Sequence, residues 1–198
     1  MVSFLTLKAP EAKAFLASFL EATPQRLDEL RQQCATQDGP PPEVLDLTPS
    51  SLEPLWSWAQ PRFSWREGYQ PRPLGEPGPR VHVEVMEPLE ELPPWFDPPL
   101  LRWSAFCPSS LWLIDGLARY LGQCLLDHVP DARWEVGKAR KGYVYQNHPV
   151  IVGLPVGDPV QPMWSVSIIA GRALQPSPGP STLMDAFTAW TDRSGPTQ

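Results

Sequence analysis

Pro108-Ser109-Ser110-Leu111-Trp112-Leu113-Ile114-Asp115-Gly116-Leu117-Ala118-Arg119-Tyr120-Leu121-Gly122-Gln123-Cys124-Leu125-Leu126-Asp127-His128-Val129 is the stretch that decides the fold. After the Pro-Ser-Ser lead-in, Leu111 to Val129 predicts a helix. Its polar residues Asp115, Arg119, Gln123 and Asp127 recur at i+4 and trace one narrow stripe, and nearly every other position is apolar. A helix with so thin a wet face is buried on most sides and forms the centre of its domain. Gly116 and Gly122 each cost such a helix roughly 1 kcal/mol in propensity and would let neighbouring backbone approach closely. Asp115 and Arg119 read as a surface i,i+4 ion pair.

Towards the C-terminus, Pro130-Asp131 ends this helix and Trp134 to Val136 reads as a strand. A loop from Gly137 to Gly142 leads to Tyr143-Val144-Tyr145, and Pro149 interrupts before Val150-Ile151-Val152. The second strand is therefore an edge strand or comes in two pieces. Met163 to Leu174 fits both periods: Trp164, Val166 and Ile168 alternate as in a strand, whereas Asp158-Pro159, Pro162, Ala170 and Ala173 favour a helix. The start signals tip that reading to helix. Ser181 is the expected cap of a last helix with Leu183, Ala186, Phe187 and Trp190 on one face.

Towards the N-terminus, residues 10–22 read as a helix. Thr23-Pro24 then looks like the start of a second, with Thr23 at the cap and Pro24 in the first turn. Leu27, Leu30 and Cys34 give it one apolar stripe, and Gly39 with three prolines stops it. The expected product is a helical hairpin. Thr48-Pro49 repeats the start signal for a short helix through Ala59, with Pro54 tolerable in its first turn or as a kink. Fifteen of the 27 prolines lie between Pro40 and Pro99. Proline fixes φ and removes a donor, so this stretch cannot be one long helix or a central strand. Trp56, Trp58, Phe63, Trp65, Trp95, Phe96 and Trp103 are interleaved with the prolines, as expected for a loop anchored onto a core. Val81, Val83 and Val85 alternate as a half-buried strand.

The fold class expected from these elements is α+β: a central buried helix packed on a small antiparallel sheet, with additional helices at both ends. Residues 1–39 form the helical hairpin, 40–104 a Pro/Trp-rich wrap with a short helix and strand, and 105–198 the α+β core, in one compact unit.

Composition narrows function more by exclusion. The net charge is −6, and residues 1–100 carry eight Lys/Arg against fifteen Asp/Glu. Phosphate contacts need clustered cations, and the one basic run, Lys138, Arg140 and Lys141, is short, so nucleic acid is not an expected partner. No apolar run is long enough to span a bilayer and no signal peptide is legible; the chain is expected to be cytoplasmic. Cys34, Cys107 and Cys124 make an odd count without CxxC spacing, which argues against a disulfide framework or a structural zinc site. Phosphate-loop, dinucleotide, HExxH, GxSxG and EF-hand patterns are absent from the sequence, and no cofactor is expected.

Three constellations carry chemistry. Cys124 and His128 stand at i,i+4 and could share a metal with Cys107, His82 or His148 as a distant third ligand; a buried cysteine and a histidine at a helix C-terminus explain the pair without one. Cys107 precedes a helix N-terminus, where a thiolate is stabilised, and with Cys124 is a candidate nucleophile for which His148 would be the base. Asn147-His148-Pro149, preceded by Tyr143 and Tyr145, is either a ligand-facing turn or a device that satisfies backbone groups where a strand breaks.

Leu45-Asp46-Leu47-Thr48-Pro49-Ser50-Ser51-Leu52-Glu53-Pro54-Leu55-Trp56 resembles the LDxTPxSLxPLW opening of a family of uncharacterised bacterial proteins. The run Gly116 to Gly122, with Tyr120-Leu121-Gly122, resembles that family's YLGE helix, with Gln123 replacing the acidic residue. Pro130 to Trp134 and Asn147 to Gly153 resemble its P…W…NxPVIVGF hairpin, with Leu154 replacing the aromatic, and Asp185 to Trp190 is similar to its terminal helix. The likeness covers roughly residues 43–60 and 109–191 and rests on structural positions, so it implies no catalytic residue. Small acidic α+β proteins are similar in style to immunity proteins of bacterial toxin systems, which is analogy alone.

The expectation is a non-enzymatic protein-binding module, an immunity-type or regulatory partner of another bacterial protein. Its binding residues are expected among Trp65, Trp95, Tyr143, Tyr145, Asn147 and His148, since Trp and Tyr bury much area at low entropy cost. A cysteine-dependent enzyme using a Cys/His pair is the alternative, and a self-assembling subunit the third reading.

Overall fold

A computed structural model describes residues 4–69, 71, 87–90, 92–93, 104–138, 145–175 and 181–192. The expected strand at Val81 to Val85, together with Trp95, Phe96, Trp103 and Tyr143, lies outside them. Among the described residues there are five α-helices and one two-stranded antiparallel sheet, an α+β fold. The helices are α1 (Ala9–Thr36), α2 (Leu52–Ala59), α3 (Pro108–His128), α4 (Pro162–Ala173) and α5 (Leu183–Thr191); the strands are β1 (Arg133–Val136) and β2 (Pro149–Val152). None of these helices is long and apolar enough to cross a membrane.

The stretch quoted first is α3, and it is the centre of the molecule. Thirteen consecutive positions bar one, from Ser110 to Gly122, are buried, the exception being the half-buried Trp112. Helix α4 runs against it, α1 crosses it, and α5 packs on both α2 and α3. The expected thin wet stripe is narrower still. Gln123 and Asp127 reach solvent and bond to each other at 2.8 Å, but Asp115 and Arg119 are fully buried.

That burial corrects the surface-pair reading, and its cause is α1. Residues 9–36 form one continuous helix rather than a hairpin, with Pro24 inside it. A proline in a helix interior removes the bond to the carbonyl four residues back, crowds that carbonyl, and costs about 3 kcal/mol. Thr23 is accordingly not a cap: its hydroxyl donates to the Phe19 carbonyl at 2.9 Å. The same carbonyl accepts from Arg119 Nη1 at 2.8 Å, and that nitrogen also reaches Thr23 Oγ1. Arg119 Nε donates to Asp115 Oδ1 at 3.1 Å, and Arg26 Nε donates to Asp115 Oδ2 at 2.9 Å. The polar groups of α3 thus brace α1 on both sides of its proline. Phe19, Leu27, Leu30 and Cys34 meanwhile bury one uninterrupted stripe, which a break at Thr23 would have divided.

The remaining elements follow their local chemistry. A 3₁₀ turn at Pro49–Ser51 leads into α2, whose Pro54 falls in the first turn where no helical N–H is lost. In the sheet, Val136 pairs with Pro149 and Arg133 with Val152, so the proline sits at the strand's first residue. Ile151 also exchanges two hydrogen bonds with Val160, at 2.8 and 2.9 Å. Gly153, at φ +79°, closes the hairpin against Asp131, whose carbonyl would lie 2.0 Å from any added Cβ. Helix α4 settles the ambiguous segment: Met163, Val166, Ile169 and Ala170 face inwards at helical spacing, which leaves Trp164 and Ile168 exposed. The cap of α5 is Thr182, not Ser181. Its hydroxyl accepts from the Asp185 amide at 3.1 Å while Asp185 accepts from the Thr182 amide at 2.8 Å.

Replacing one member of a buried ion pair strands its partner's charge. Asp115→Ala should therefore lower unfolding free energy by about 3–5 kcal/mol in denaturant titration. Gln123→Ala, one turn further along at the surface, should change it by less than about 0.5 kcal/mol.

Candidate functional site

A surface groove opens where α1 passes its proline. Its floor is made by Leu27 of α1, Leu126 of α3, Leu47 of the loop before α2, and Trp134 of β1; Leu20 and Pro24 form one edge. The groove encloses about 330 Å³ and is rimmed by Thr23, Asp28, Arg31 and Gln123. Arg31 and Asp28 are paired at 3.0 Å across one turn of α1.

Each wall is held by something specific. Trp134 packs edge-on against Phe19, with ring centroids 4.9 Å apart. It lies so close to α3 that a Cβ at Gly122 would stand 2.7 Å from its ring. The expected close approach at Gly122 is therefore that of an indole. At Gly116 the nearest neighbour is Leu30 at 3.4 Å, an ordinary contact. Leu47 has φ +64°, a left-handed conformation unfavourable to a residue with a branched side chain. It is retained because the buried Tyr120 hydroxyl accepts the Leu47 amide at 3.0 Å and bonds Ser51 Oγ at 2.6 Å. Asp46 accepts the Thr48 amide at 3.0 Å on the other side of Leu47. Strained backbone of this kind gathers at working surfaces, where the surrounding structure over-determines it. Leu20, 40% exposed, leaves the groove with an apolar lip in contact with solvent.

A second candidate lies at the N-terminus of α3. Cys107 is the residue before the helix, as the sequence predicts, and its Sγ lies 2.9 Å from Ser64 Oγ, 3.1 Å from Ser109 Oγ and 3.2 Å from Ser110 Oγ. Burial pushes the thiol up, but the hydrogen bonds of Ser109, Ser110 and Ser64 outweigh it and bring the pKa down to about 7. Ser64 is placed by a short antiparallel bridge, in which Trp65 stands opposite Phe106 and the Cys107 amide donates to the Ser64 carbonyl at 3.2 Å. The other two cysteines are ordinary core. Burial raises Cys34 to about 11, and it pushes Cys124 further up still.

The residues singled out from sequence fall in different places. Trp65 is half-buried and stacked on Phe106 at 4.9 Å, so it belongs to that bridge. Tyr145 is half-buried, and burial raises its hydroxyl. Asn147 is buried at φ +66°, and its Nδ2 donates to the carbonyls of Phe4 at 2.7 Å and Leu7 at 2.9 Å. His148 packs on the Phe4 ring at 4.0 Å. The turn at 145–148 therefore satisfies backbone groups of the N-terminal segment. His148 and Cys107 share no hydrogen-bond partner among the described residues, and the Cys/His pairing gains no support from their positions. His128 Nδ1 bonds the Cys124 carbonyl at 2.9 Å and its ring meets Phe187 edge-on. Among the described residues no group of three His, Cys, Asp or Glu side chains is placed to hold a metal; His82 lies outside them.

Sequence reading missed the groove because it took Thr23-Pro24 as the start of a helix. The groove's lining comes from α1, α3, β1 and the loop before α2, which only the tertiary structure brings together.

Cys107 should alkylate with iodoacetamide along a pH–rate curve whose inflection lies near 7, while Cys34 and Cys124 stay unlabelled until the chain unfolds. Ser64→Ala removes one of the three bonds and should move that inflection upward.

No protein-family model, curated protein or solved structure matches this chain, so the chemistry of the two candidate sites carries the functional argument.

Proposed function

We propose that this chain is a protein-binding module whose groove beside Pro24 receives an apolar side chain of a partner protein. The observation that carries the reading is the form of the groove: an apolar floor of Leu27, Leu47, Leu126 and Trp134, open to solvent beside the exposed Leu20, within a rim of hydrogen-bonding and charged groups. Interfaces combine an apolar, aromatic centre with a polar rim, and the strained Leu47 fixes one wall in advance. Pre-organisation lowers the ordering cost of binding. The proposed partner is another protein rather than nucleic acid, given the −6 net charge and the acidic N-terminal half. The resemblance across residues 43–60 and 109–191 makes a bacterial partner, immunity-type or regulatory, the first to test.

The Cys107 cradle supports a second reading, a thiol-dependent activity. A thiolate substantially formed at neutral pH beside three hydroxyls at a helix N-terminus is a competent nucleophile. Its base would have to come from outside the pairing with His148.

Leu20→Glu places a charge on the groove's lip at a position that is already exposed, so folding should be preserved. A partner retained stoichiometrically by the tagged full chain should bind Leu20→Glu at least tenfold more weakly, a loss of about 1.4 kcal/mol, and Cys107→Ala without change. Equal retention by Leu20→Glu and the parent, with loss in Cys107→Ala, would transfer the function to the thiol.

A further inference from the structure

The N-terminal segment is fastened at two adjoining points. Asn147 holds it by backbone, its amide nitrogen donating to the carbonyls at both ends of the turn, Phe4 and Leu7. His148 holds it by side chain, its ring lying 4.0 Å from that of Phe4, which is 2% exposed and meets Phe15 of α1 edge-on at 4.7 Å. Both fasteners are neighbours in one turn. The turn is itself pinned to Gly137, whose amide donates to the His148 carbonyl and whose carbonyl accepts the Asn147 amide, each at 2.8 Å.

We infer that residues 4–8 form an acid-labile latch, closed over the 145–148 turn while the His148 imidazole is neutral and released when it takes up a proton. His148 Nδ1 is buried and has no hydrogen-bond partner among the described residues. In the protonated ring both nitrogens carry hydrogen, so closure would confine a charge and an unanswered N–H between Phe4 and the turn. Such a group is expensive to bury. The titratable side chains on the described segments that meet here are Lys8 and Glu11 at the start of α1, Lys138 after β1, and Tyr145. Burial alone lowers His148, from 6.5 to about 4, so none of these supplies a charge that steadies the protonated ring.

The direction follows from linkage. The open segment frees His148 to bind a proton near 6.5, whereas the closed form resists protonation until about 4. Closure is therefore fully favoured above about 6.5 and weakens as pH falls towards 4, by about tenfold in the opening equilibrium per pH unit. Opening would expose Phe4 and the face of Phe15 it covers, apolar surface that is buried at neutral pH.

The test is hydrogen exchange of the full chain between pH 7.5 and 4.5, corrected for the intrinsic pH dependence of exchange and read at the Leu7, Ala12 and Asn147 amides. Protection in the parent should fall about tenfold per unit below 6.5. His148→Phe keeps an apolar ring on Phe4 and cannot titrate, so its protection should stay flat, and Asn147→Ala should be poorly protected at every pH. Parallel loss of protection in the parent and in folded His148→Phe would overturn the inference. Should His148→Phe fail to fold, the ring is titrated in the parent by NMR: a pKa near 4 accompanied by loss of the Phe4 contact supports the latch. Titration near 6.5 with that contact intact overturns it.

Discussion

The structure depends on how α1 is held against α3. Pro24 sits within a 28-residue helix, and Arg119 of α3, held against Asp115, donates to the Phe19 carbonyl just N-terminal of it. The pair is buried, so its desolvation is costly and its net contribution to stability is small when measured against an apolar replacement. Its value here is positional. Arg119 lies over the Phe19 ring at 4.0 Å and Arg26 over that of Trp112 at 4.4 Å, so cation–π contacts from both guanidinium groups set how α1 and α3 meet.

The groove lies beside that contact. Leu20, Pro24 and Leu27 of α1 line one side, and Trp134 comes in over Gly122 to complete the wall. The Leu45 to Trp56 segment supplies the remaining side. Leu45, Leu52, Leu55 and Trp56 are core, while Asp46, Thr48, Ser51 and Tyr120 form the hydrogen-bonded framework that holds Leu47 in its strained conformation.

Much of the architecture was legible in short-range pattern. The central helix, the strand at Trp134 to Val136, the strand after Pro149 and the terminal helix all emerge from periodicity and from proline placement. The N-terminal hairpin did not survive, because a Thr-Pro pair has the same appearance at a helix start and at a defect inside one. Asp115 and Arg119 were misplaced for a related reason. Their i,i+4 spacing identifies a pair on one helical face but carries no information about what covers that face. Of the candidate site residues, Cys107 was legible from its position before a helix, whereas its three serine partners include Ser64, 43 residues away in sequence.

By itself, then, the sequence determined the α+β class, the buried central helix, the acidic net charge and the isolated character of its three cysteines, because these follow from composition and local periodicity. Only the tertiary structure decided that α1 runs unbroken through Pro24, that Asp115 and Arg119 lie inside, and that Asn147 and His148 grip the N-terminal turn. Each of those outcomes depends on partners about 90 to 140 residues distant in the chain. A buried polar group takes whichever partner the packing brings to it, and no local pattern encodes that choice.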